Sequence, residues 1–231
     1  MPVISGNEVL VPWNRVFLHG NASAANRLYP ESSFLPHVAH QIVCKNTVKT
    51  EFILGVLQLM VDTINISEYQ HVKEKIAEVI LALETMKAFL IASEVNAQID
   101  KWGLMTPAFN PLYAALNYYP RIYPRFIEIM QLIGASGLVS IPSEADFHSE
   151  LKPDLDKYLQ STDRNGEARV QLFRLAWDVC MSAFGSRQTL YERFFFGDPV
   201  RLAGNLYRLY DRQYCVDWVK RFLERIETDR H

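Results

Sequence analysis

The residues best suited to hold a ligand lie in the segment SAFGSRQTLYERFFFGDPVR, residues 182–201. Gly185 has no Cβ atom, so it permits a bend and lets a ligand approach the backbone. Ser186, Arg187 and Gln188 are predicted to begin a helix, whose free amides favour an anion. The guanidinium of Arg187 adds a bidentate donor. Together these groups suit a phosphate or pyrophosphate, although the spacing alone is more typical of a plain helix–helix corner with a surface arginine.

A second group that could do chemistry consists of His37, His40, Cys44 and Lys45. On a helix, the two histidines and the cysteine fall on one face. Imidazole and thiolate there could bind a soft metal ion. So few ligands are weak evidence for a metal site. The favoured interpretation is that they are polar helix residues near a cofactor or a subunit interface. No metal ion is predicted.

Composition and charge exclude several classes of function. The chain has 231 residues, 49% of them hydrophobic, which is enough to bury one substantial core. A net charge of -2 gives no electrostatic reason to bind nucleic acid. Three cysteines without paired spacing indicate neither a disulfide framework nor a zinc ribbon, and a cytoplasmic location fits them best. No apolar run reaches the roughly 18 residues of a membrane span.

Two long helices are the first elements that must position these residues. One is predicted over residues 33–64, where apolar residues recur three and four apart. Its stripe includes Val48, Phe52, Leu59 and Val61. Ser67 is the predicted N-cap of the second helix, with Gln70 completing a capping box, and this helix runs to about Ile99. Its stripe includes Val72, Ile76, Val79, Leu83, Met86 and Leu90. Two helices joined by a short connection should pack antiparallel in a bundle.

Prolines dominate the middle of the chain. Residues 102–124 contain prolines at 107, 111, 120 and 124. Loops and short turns are predicted there, because proline lacks an amide hydrogen and restricts the preceding residue. A helix follows over residues 125–132 and runs into Gly134–Gly137. Residues 143–166 are polar, with helical turns near 155–159.

The C-terminal third is predicted to be a series of helices. They span residues 167–184, 187–196, 200–210 and 217–226. The first has a stripe of Val170, Phe173, Ala176 and Trp177. The Gly185–Ser186 pair is expected to interrupt it, and the sequence Gly-Asp-Pro at 197–199 to end the second helix.

The N-terminal residues 7–18, NEVLVPWNRVFL, favour one or two short extended pieces interrupted by Pro12. Two such pieces cannot form a stable sheet alone. Their edges would stay unpaired unless another domain or chain covers them, which indicates that upstream polypeptide belongs with this chain.

Four separated segments resemble one known family. They are VPWNRVFL at 11–18, LYAALNYYPRIYPRFIEIMQLIGASGLVSIPSEADF at 112–147, QLFRLAWD at 171–178 and the 182–201 segment. Together they resemble the C-terminal domain of the 4-hydroxyphenylacetate 3-hydroxylase family, which includes the pyoverdine chromophore enzymes. The resemblance covers nearly the whole chain. It implies a mainly α fold, an acyl-CoA-dehydrogenase-like C-terminal four-helix bundle that also forms the tetramer, preceded by a short β-like segment.

The resemblance also implies a division of the chain. Residues 1–22 would be the exit from a central β domain. Residues 23–212 would form the helical bundle with its flavin-contacting loops, and residues 213–231 a tail helix.

Flavin contacts are implied in two places. In the family, a loop like 182–187 contacts the cofactor, which assigns FAD binding to Ser182, Phe184, Gly185, Ser186 and Arg187. The segment from Gln131 to Gly137 is similar to the Gln-x-x-Gly-Gly-x-Gly sequence by which acyl-CoA dehydrogenases hold the adenosine diphosphate of a neighbouring subunit's FAD. It assigns binding to Gln131 and Gly134, although Ala135 replaces the second glycine. An alternative interpretation of equal weight is that these glycines merely end a helix and allow close packing.

The activity implied by the resemblance is ortho-hydroxylation of a phenol such as 4-hydroxyphenylacetate with reduced FAD and O2. A separate NAD(P)H-dependent flavin reductase would supply the reduced FAD. The oxygenase would be a homo-oligomer, a tetramer or a dimer. In the family the phenol is bound by the N-terminal and β domains, so no catalytic residue is assigned, and the chain alone is expected to be inactive without a separately encoded N-terminal part.

Two rival interpretations stay open at this point. The related flavin and iron–sulfur enzyme 4-hydroxybutyryl-CoA dehydratase has a His and a Cys at similar spacing to His37 and Cys44, followed by Lys, which favours a dehydratase or isomerase. The non-enzyme rival is a helical assembly module that oligomerises and complements an N-terminal part.

Overall fold

The computed structural model describes residues 6–228, most of which are helical. The α-helices are α1 (Ala22–Glu31), α2 (Phe34–Thr63), α3 (Gln70–Val95), α4 (Phe109–Gly134), α5 (Ser136–Val139), α6 (Lys152–Leu159), α7 (Gly166–Cys180), α8 (Ala183–Phe194), α9 (Pro199–Leu209) and α10 (Gln213–Thr228). Short 3₁₀ turns lie at Trp13–Arg15 and Ala145–His148. Strands β1 (Gln98–Ile99) and β2 (Met105–Thr106) pair antiparallel. The prediction of a mainly α fold is confirmed.

Helices α2, α3 and α4 pack on one another at the centre of the bundle, and α7 and α8 pack on α4. The antiparallel arrangement of α2 and α3 is confirmed, because His40 near the start of α2 contacts Glu94 near the end of α3. The core between these helices contains Leu57, Met60, Met86, Leu116, Tyr119, Phe126 and Met130. None of the helices in the described part of the chain is long and apolar enough to span a membrane.

The predicted stripe of α2 was largely wrong. Val48, Phe52 and Leu59 are exposed, and only Val61 of that set is buried. The buried face carries Ala39, Ile42, Val43, Asn46, Thr50, Ile53, Leu57 and Met60. Both faces of α2 are apolar enough to be buried, so periodicity cannot choose between them. On α3 the stripe is confirmed, since Val72, Ile76, Val79, Leu83 and Met86 are buried.

The ends of α3 differ from the prediction. The helix begins at Gln70 and no side chain caps it, so Ser67 is not the N-cap. It ends at Val95 rather than Ile99 because Asp100 organises a hairpin: its carboxylate accepts hydrogen bonds from Ser33 Oγ, from the amides of Leu104 (3.0 Å) and Trp102 (2.8 Å), and from Thr106 Oγ1 (3.0 Å). These donors, with Ser33 foremost, lower the pKa of Asp100 to about 2.

The prediction of loops over residues 102–124 was wrong from Phe109 onward. Helix α4 runs without a break from Phe109 to Gly134 and includes Pro120 and Pro124. These prolines lie one turn apart, so the backbone hydrogen bonds that they remove are confined to one side of the helix. Burial of Tyr119, Tyr123 and Phe126 on the same helix outweighs that loss.

The C-terminal helices follow the prediction with shifted ends. The interruption lies at Met181–Ser182, between α7 and α8, rather than at Gly185–Ser186, which are inside α8. Helix α9 begins one residue earlier than predicted, and α10 begins at Gln213 rather than Asp217.

Residues 7–18 do not form strands. A 3₁₀ turn occupies Trp13–Arg15, and Val9, Leu10 and Phe17 are exposed. A strand requires a hydrogen-bonding partner, and residues 6–228 provide none for this segment.

Candidate functional site

The corner between α7 and α8 is built around Ser182. As the N-cap of α8, its hydroxyl accepts a hydrogen bond from the amide of Gly185 (3.1 Å). The same hydroxyl donates to the carbonyl oxygen of Asp178 (2.7 Å). One buried side chain therefore ties the end of α7 to the beginning of α8.

Gly185 allows the two helices to come close. A Cβ atom at this position would lie 2.5 Å from the carbonyl oxygen of Val179 and 2.7 Å from that of Asp178. Such distances are shorter than any van der Waals contact. Ser182 and Gly185 thus face inward, and in this structure both have a packing role.

The outward side of the corner carries Phe184, Ser186 and Arg187. Phe184 is 58% exposed, and Ser186 and Arg187 are exposed as well. Ser186 does not begin the helix, because its amide already donates to Ser182 O (2.9 Å). Within residues 6–228, the amides of Ala183 and Phe184 in the first turn of α8 have no hydrogen-bond partner, and Arg187 follows one turn later.

Arg187 forms no ion pair within residues 6–228. Its guanidinium can therefore join the free amides of Ala183 and Phe184 in binding an anion. These residues fit a pyrophosphate group.

The segment from Gln131 to Gly137 meets this corner. The side-chain amide of Gln131 donates to the carbonyl oxygen of Cys180 (3.1 Å), two residues before Ser182. The fold thus brings together two segments that lie about fifty residues apart in the chain. Gly134 is buried and packs against Leu138 and Met60.

Ala135 has an unusual backbone conformation. Its φ of 43° and ψ of -132° separate α4 from α5. Positive φ places Cβ close to the backbone, so glycine usually occupies such positions. The second glycine of the similar dehydrogenase sequence falls here, and the fold keeps the glycine-type turn although the residue is alanine.

The residues around Cys44 are held by hydrogen bonds. His40 Nε2 lies 2.8 Å from Glu94 Oε1, and His40 Nδ1 lies 3.8 Å from Cys44 Sγ. His37 turns toward Thr106, with 3.4 Å between Nε2 and Oγ1. Burial, followed by the charge of Glu94, raises the pKa of the Cys44 thiol, which disfavours the thiolate that a metal ion needs. In the described range 6–228, no three His, Cys, Asp or Glu residues form a group suited to a metal.

Sequence reasoning missed a charged cluster between α2 and α8. Glu192 is buried, and its carboxylate accepts hydrogen bonds from Lys45 (2.9 and 3.1 Å), from Lys49 and from Gln188 (3.0 Å). Burial lowers the pKa of Lys45, and the hydrogen bond that Lys45 donates to Glu192 opposes this shift. The signal available was the i, i+4 spacing of Lys45 and Lys49 on the predicted helix.

Comparison with known proteins decides the family. The family model described as 4-hydroxyphenylacetate 3-hydroxylase C terminal matches residues 25–224, most of the chain. The chain belongs to this family. Members that it resembles include the probable 4-hydroxyphenylacetate 3-monooxygenase of Bacillus subtilis, which is 52% identical over 96% of this chain and 46% of its own length. The chain spans about half the length of the curated relatives it matches.

Solved structures agree with the family assignment. The crystal structure of a 4-hydroxyphenylacetate 3-monooxygenase oxygenase component complexed with FAD and 4-hydroxyphenylacetate has a TM-score of 0.90 and 47% identity, over 96% of this chain and 47% of that chain. A 4-hydroxybutyryl-CoA dehydratase from N. maritimus has a TM-score of 0.81 at 24% identity, which shows the fold alone. The predicted acyl-CoA-dehydrogenase-like bundle is confirmed, and the dehydratase interpretation is not favoured.

Proposed function

We propose that this chain is the FAD-contacting and oligomerising C-terminal half of the oxygenase component of a two-component monooxygenase. The enzyme would hydroxylate a phenol such as 4-hydroxyphenylacetate ortho to its hydroxyl group. Three relatives named for 4-hydroxyphenylacetate 3-monooxygenase, at 49–52% identity, support this proposal. Bound reduced FAD would supply the chemistry by activating O2.

The observation that carries the proposal is the outward side of the α7–α8 corner. The amides of Ala183 and Phe184 and the guanidinium of Arg187, which have no partner within residues 6–228, offer donors to a pyrophosphate. The exposed ring of Phe184 offers an apolar contact. We assign FAD binding to Phe184, Ser186 and Arg187 directly. Ser182 and Gly185 belong to the site because they hold this turn in place.

The second contact region is assigned to Gln131 and Gly134. Gln131 lies beside the same corner through its bond to Cys180, and within residues 6–228 its side-chain oxygen accepts no hydrogen bond. The buried Gly134 sets the tight approach of α5 to α4. In an oligomer, this region would hold the adenosine diphosphate part of a neighbouring subunit's cofactor.

Partners follow from the exposed surfaces and from the relatives' names. Apolar side chains exposed on α2 and α3 suit a subunit interface, in a tetramer or a dimer. They include Val48, Phe52, Leu59, Ile80, Leu81 and Ile91. An oxygenase component also needs a separate NAD(P)H-dependent flavin reductase. A cytoplasmic location suits both proteins.

We further propose the division into residues 1–22, 23–212 and 213–231, with the first part as the exit from a β domain. The exposed apolar side chains of residues 9–18 suit contact with such a domain. The groups that bind the phenol would lie in the other half of the oxygenase. The chain alone should therefore show no turnover of 4-hydroxyphenylacetate with a reductase, and adding the N-terminal half of the Bacillus subtilis relative should restore it.

The cofactor assignment can be tested at Arg187. Titration of FAD by fluorescence, with the chain alone and with the added N-terminal half, should show binding that Arg187→Ala weakens by about tenfold or more, since a charged hydrogen bond to phosphate is lost. Arg193→Ala, on the same helix, is the matched control and should bind FAD normally. Equal affinities for Arg187→Ala and the unmodified chain would refute the assignment.

A further inference from the structure

Helix α8 has an unusual buried face. Its buried residues are Gly185 and Glu192, seven positions and two turns apart, so they lie on one side of the helix. Gln188 and Thr189 lie between them on that side and are half-buried. A helix normally keeps its rotation by burying an apolar stripe. Helix α8 packs on α4 and α7, but none of its own large apolar side chains is buried, so polar contacts help to set its rotation and its height.

Two such contacts anchor α8. The first joins its N-terminal turn to α7, where Ser182 bonds to Asp178 and Gly185 fits against Val179. The second joins its C-terminal half to α2 through Glu192, which is 5% exposed. The anchors are roughly 10 Å apart along the helix axis, at 1.5 Å per residue.

The second anchor depends on charge. Lys45 and Lys49, one turn apart on α2, both bind the same carboxylate of Glu192. The ammonium group of Lys45 also lies 5.1 Å from the ring centre of Tyr191 and 5.4 Å from that of Phe195. A buried carboxylate with two charged donors allows few alternative placements, because any shift of α8 leaves a charge without its partner.

We propose that Glu192 is a positioning residue for the cofactor. By fixing α8 on α2 through Lys45 and Lys49, it sets the direction in which the first turn presents Phe184 and Arg187. This inference rests on the proposed FAD contact at that turn. Glu192 is buried between α2 and α8 and would act through the placement of α8.

The test replaces Glu192 by Gln in the full chain, with and without the N-terminal half of the Bacillus subtilis relative. Hydrogen exchange of the α8 amides, residues 186–194, should accelerate about tenfold or more, while exchange in α3 stays unchanged. The dissociation constant of FAD should rise about tenfold or more. Glu84→Gln is the matched control, because Glu84 pairs with Lys87 on an exposed face, and it should change neither value.

A triple variant separates positioning from stability. Replacing Lys45, Lys49 and Glu192 by Met removes the charges together, and such replacements often restore or raise stability. Glu192→Gln should lower the unfolding midpoint. The triple variant should restore the midpoint, while its FAD affinity stays as low as that of Glu192→Gln. Recovery of both would mean that Glu192 acts only through stability, and unchanged α8 exchange in Glu192→Gln would also overturn the proposal.

A different set of results is expected if the proposed function is wrong. If the unmodified chain binds no FAD in either preparation, Arg187→Ala has no effect, and the FAD assignment is refuted together with the cofactor part of this inference. The exchange measurement needs no flavin, so it still decides whether Glu192 positions α8.

Discussion

Gly185 and Ala135, one at each corner assigned to the cofactor, are under different physical constraints. At the α7–α8 corner, Gly185 has an ordinary helical conformation, and its missing Cβ makes room for the carbonyl oxygens of α7. At the α4–α5 corner, space is not the limit at Ala135. There the backbone has a positive φ of 43°, which glycine would adopt more easily than alanine.

The comparison shows that the positions of glycines in a sequence do not reveal why glycine is needed there. One corner requires glycine for close packing of two helices. The other has a glycine-type turn without the glycine, and it must be held by the surrounding packing, including the bond from Gln131 to Cys180. Substitutions at the two corners should therefore have effects of opposite sign.

The largest effect is expected for Gly185→Ala. The new methyl group would meet two backbone carbonyl oxygens, which cannot rotate away as a flexible side chain can. The free energy of unfolding should fall by about 3 kcal/mol, measured by urea denaturation. Gly204→Ala in α9 is the control, because its Cβ would meet nothing within 4 Å, and it should gain about 0.5 kcal/mol. Equal effects at both glycines would contradict the packing role.

A smaller effect of opposite sign is expected for Ala135→Gly. Relief of the strained φ should exceed the entropy lost by the more flexible unfolded chain, for a gain of about 1 kcal/mol in the same assay. Ala88→Gly, inside the exposed face of α3, should instead lose about 1 kcal/mol. A loss at position 135 as well would show that the turn is not strained.

The smallest effect is expected at Asp100, which lies outside both corners. Asp100 has a folded pKa of about 2, below its ordinary value of 3.8. Its stabilising contribution is therefore complete above that ordinary value and is lost as the pH falls toward 2. In thermal melts, Asp100→Asn should be less stable than the unmodified chain at pH 6. The difference in stability should shrink steadily below about pH 4.

Asp62→Asn is the control for this titration. Asp62 is exposed on α2 and accepts a hydrogen bond from Gln58 (2.8 Å). Its replacement removes one exposed hydrogen bond and should change the stability at pH 6 less than Asp100→Asn does. If the difference in stability between the unmodified chain and Asp100→Asn stays constant from pH 6 to pH 3, the hydrogen bonds of Asp100 in the hairpin do not cause the pH dependence.

Much of the fold was accessible from the sequence. Long runs of apolar residues at helical spacing predicted α2 and α3, and the stripe of α3 from Val72 to Met86 is buried as expected. The continuity of α4 through Pro120 and Pro124 was not accessible, because local rules count the lost hydrogen bonds but not the burial of Tyr119 and Tyr123. The outward direction of Val48 and Phe52 was also missed, since two apolar faces look alike in a sequence.

The candidate site was accessible only in part. The segments around Gln131 and Gly185 were identified from residue types and resemblance, and the bond from Gln131 to Cys180 joins them. The start of α8 at Ala183 and the inward direction of Gly185 emerged only from the fold. Glu192 was missed because its two lysine partners lie more than 140 residues away in the chain.

The sequence by itself determined the helical class, the presence of the long helices α2 and α3, and the family, because periodicity and local segments are written along the chain. Only the tertiary structure decided which side of α2 is buried, where α7 gives way to α8 and which donors remain free for a ligand. These outcomes depend on contacts between distant segments, whose free energies compete with local preferences and cannot be read from neighbouring residues.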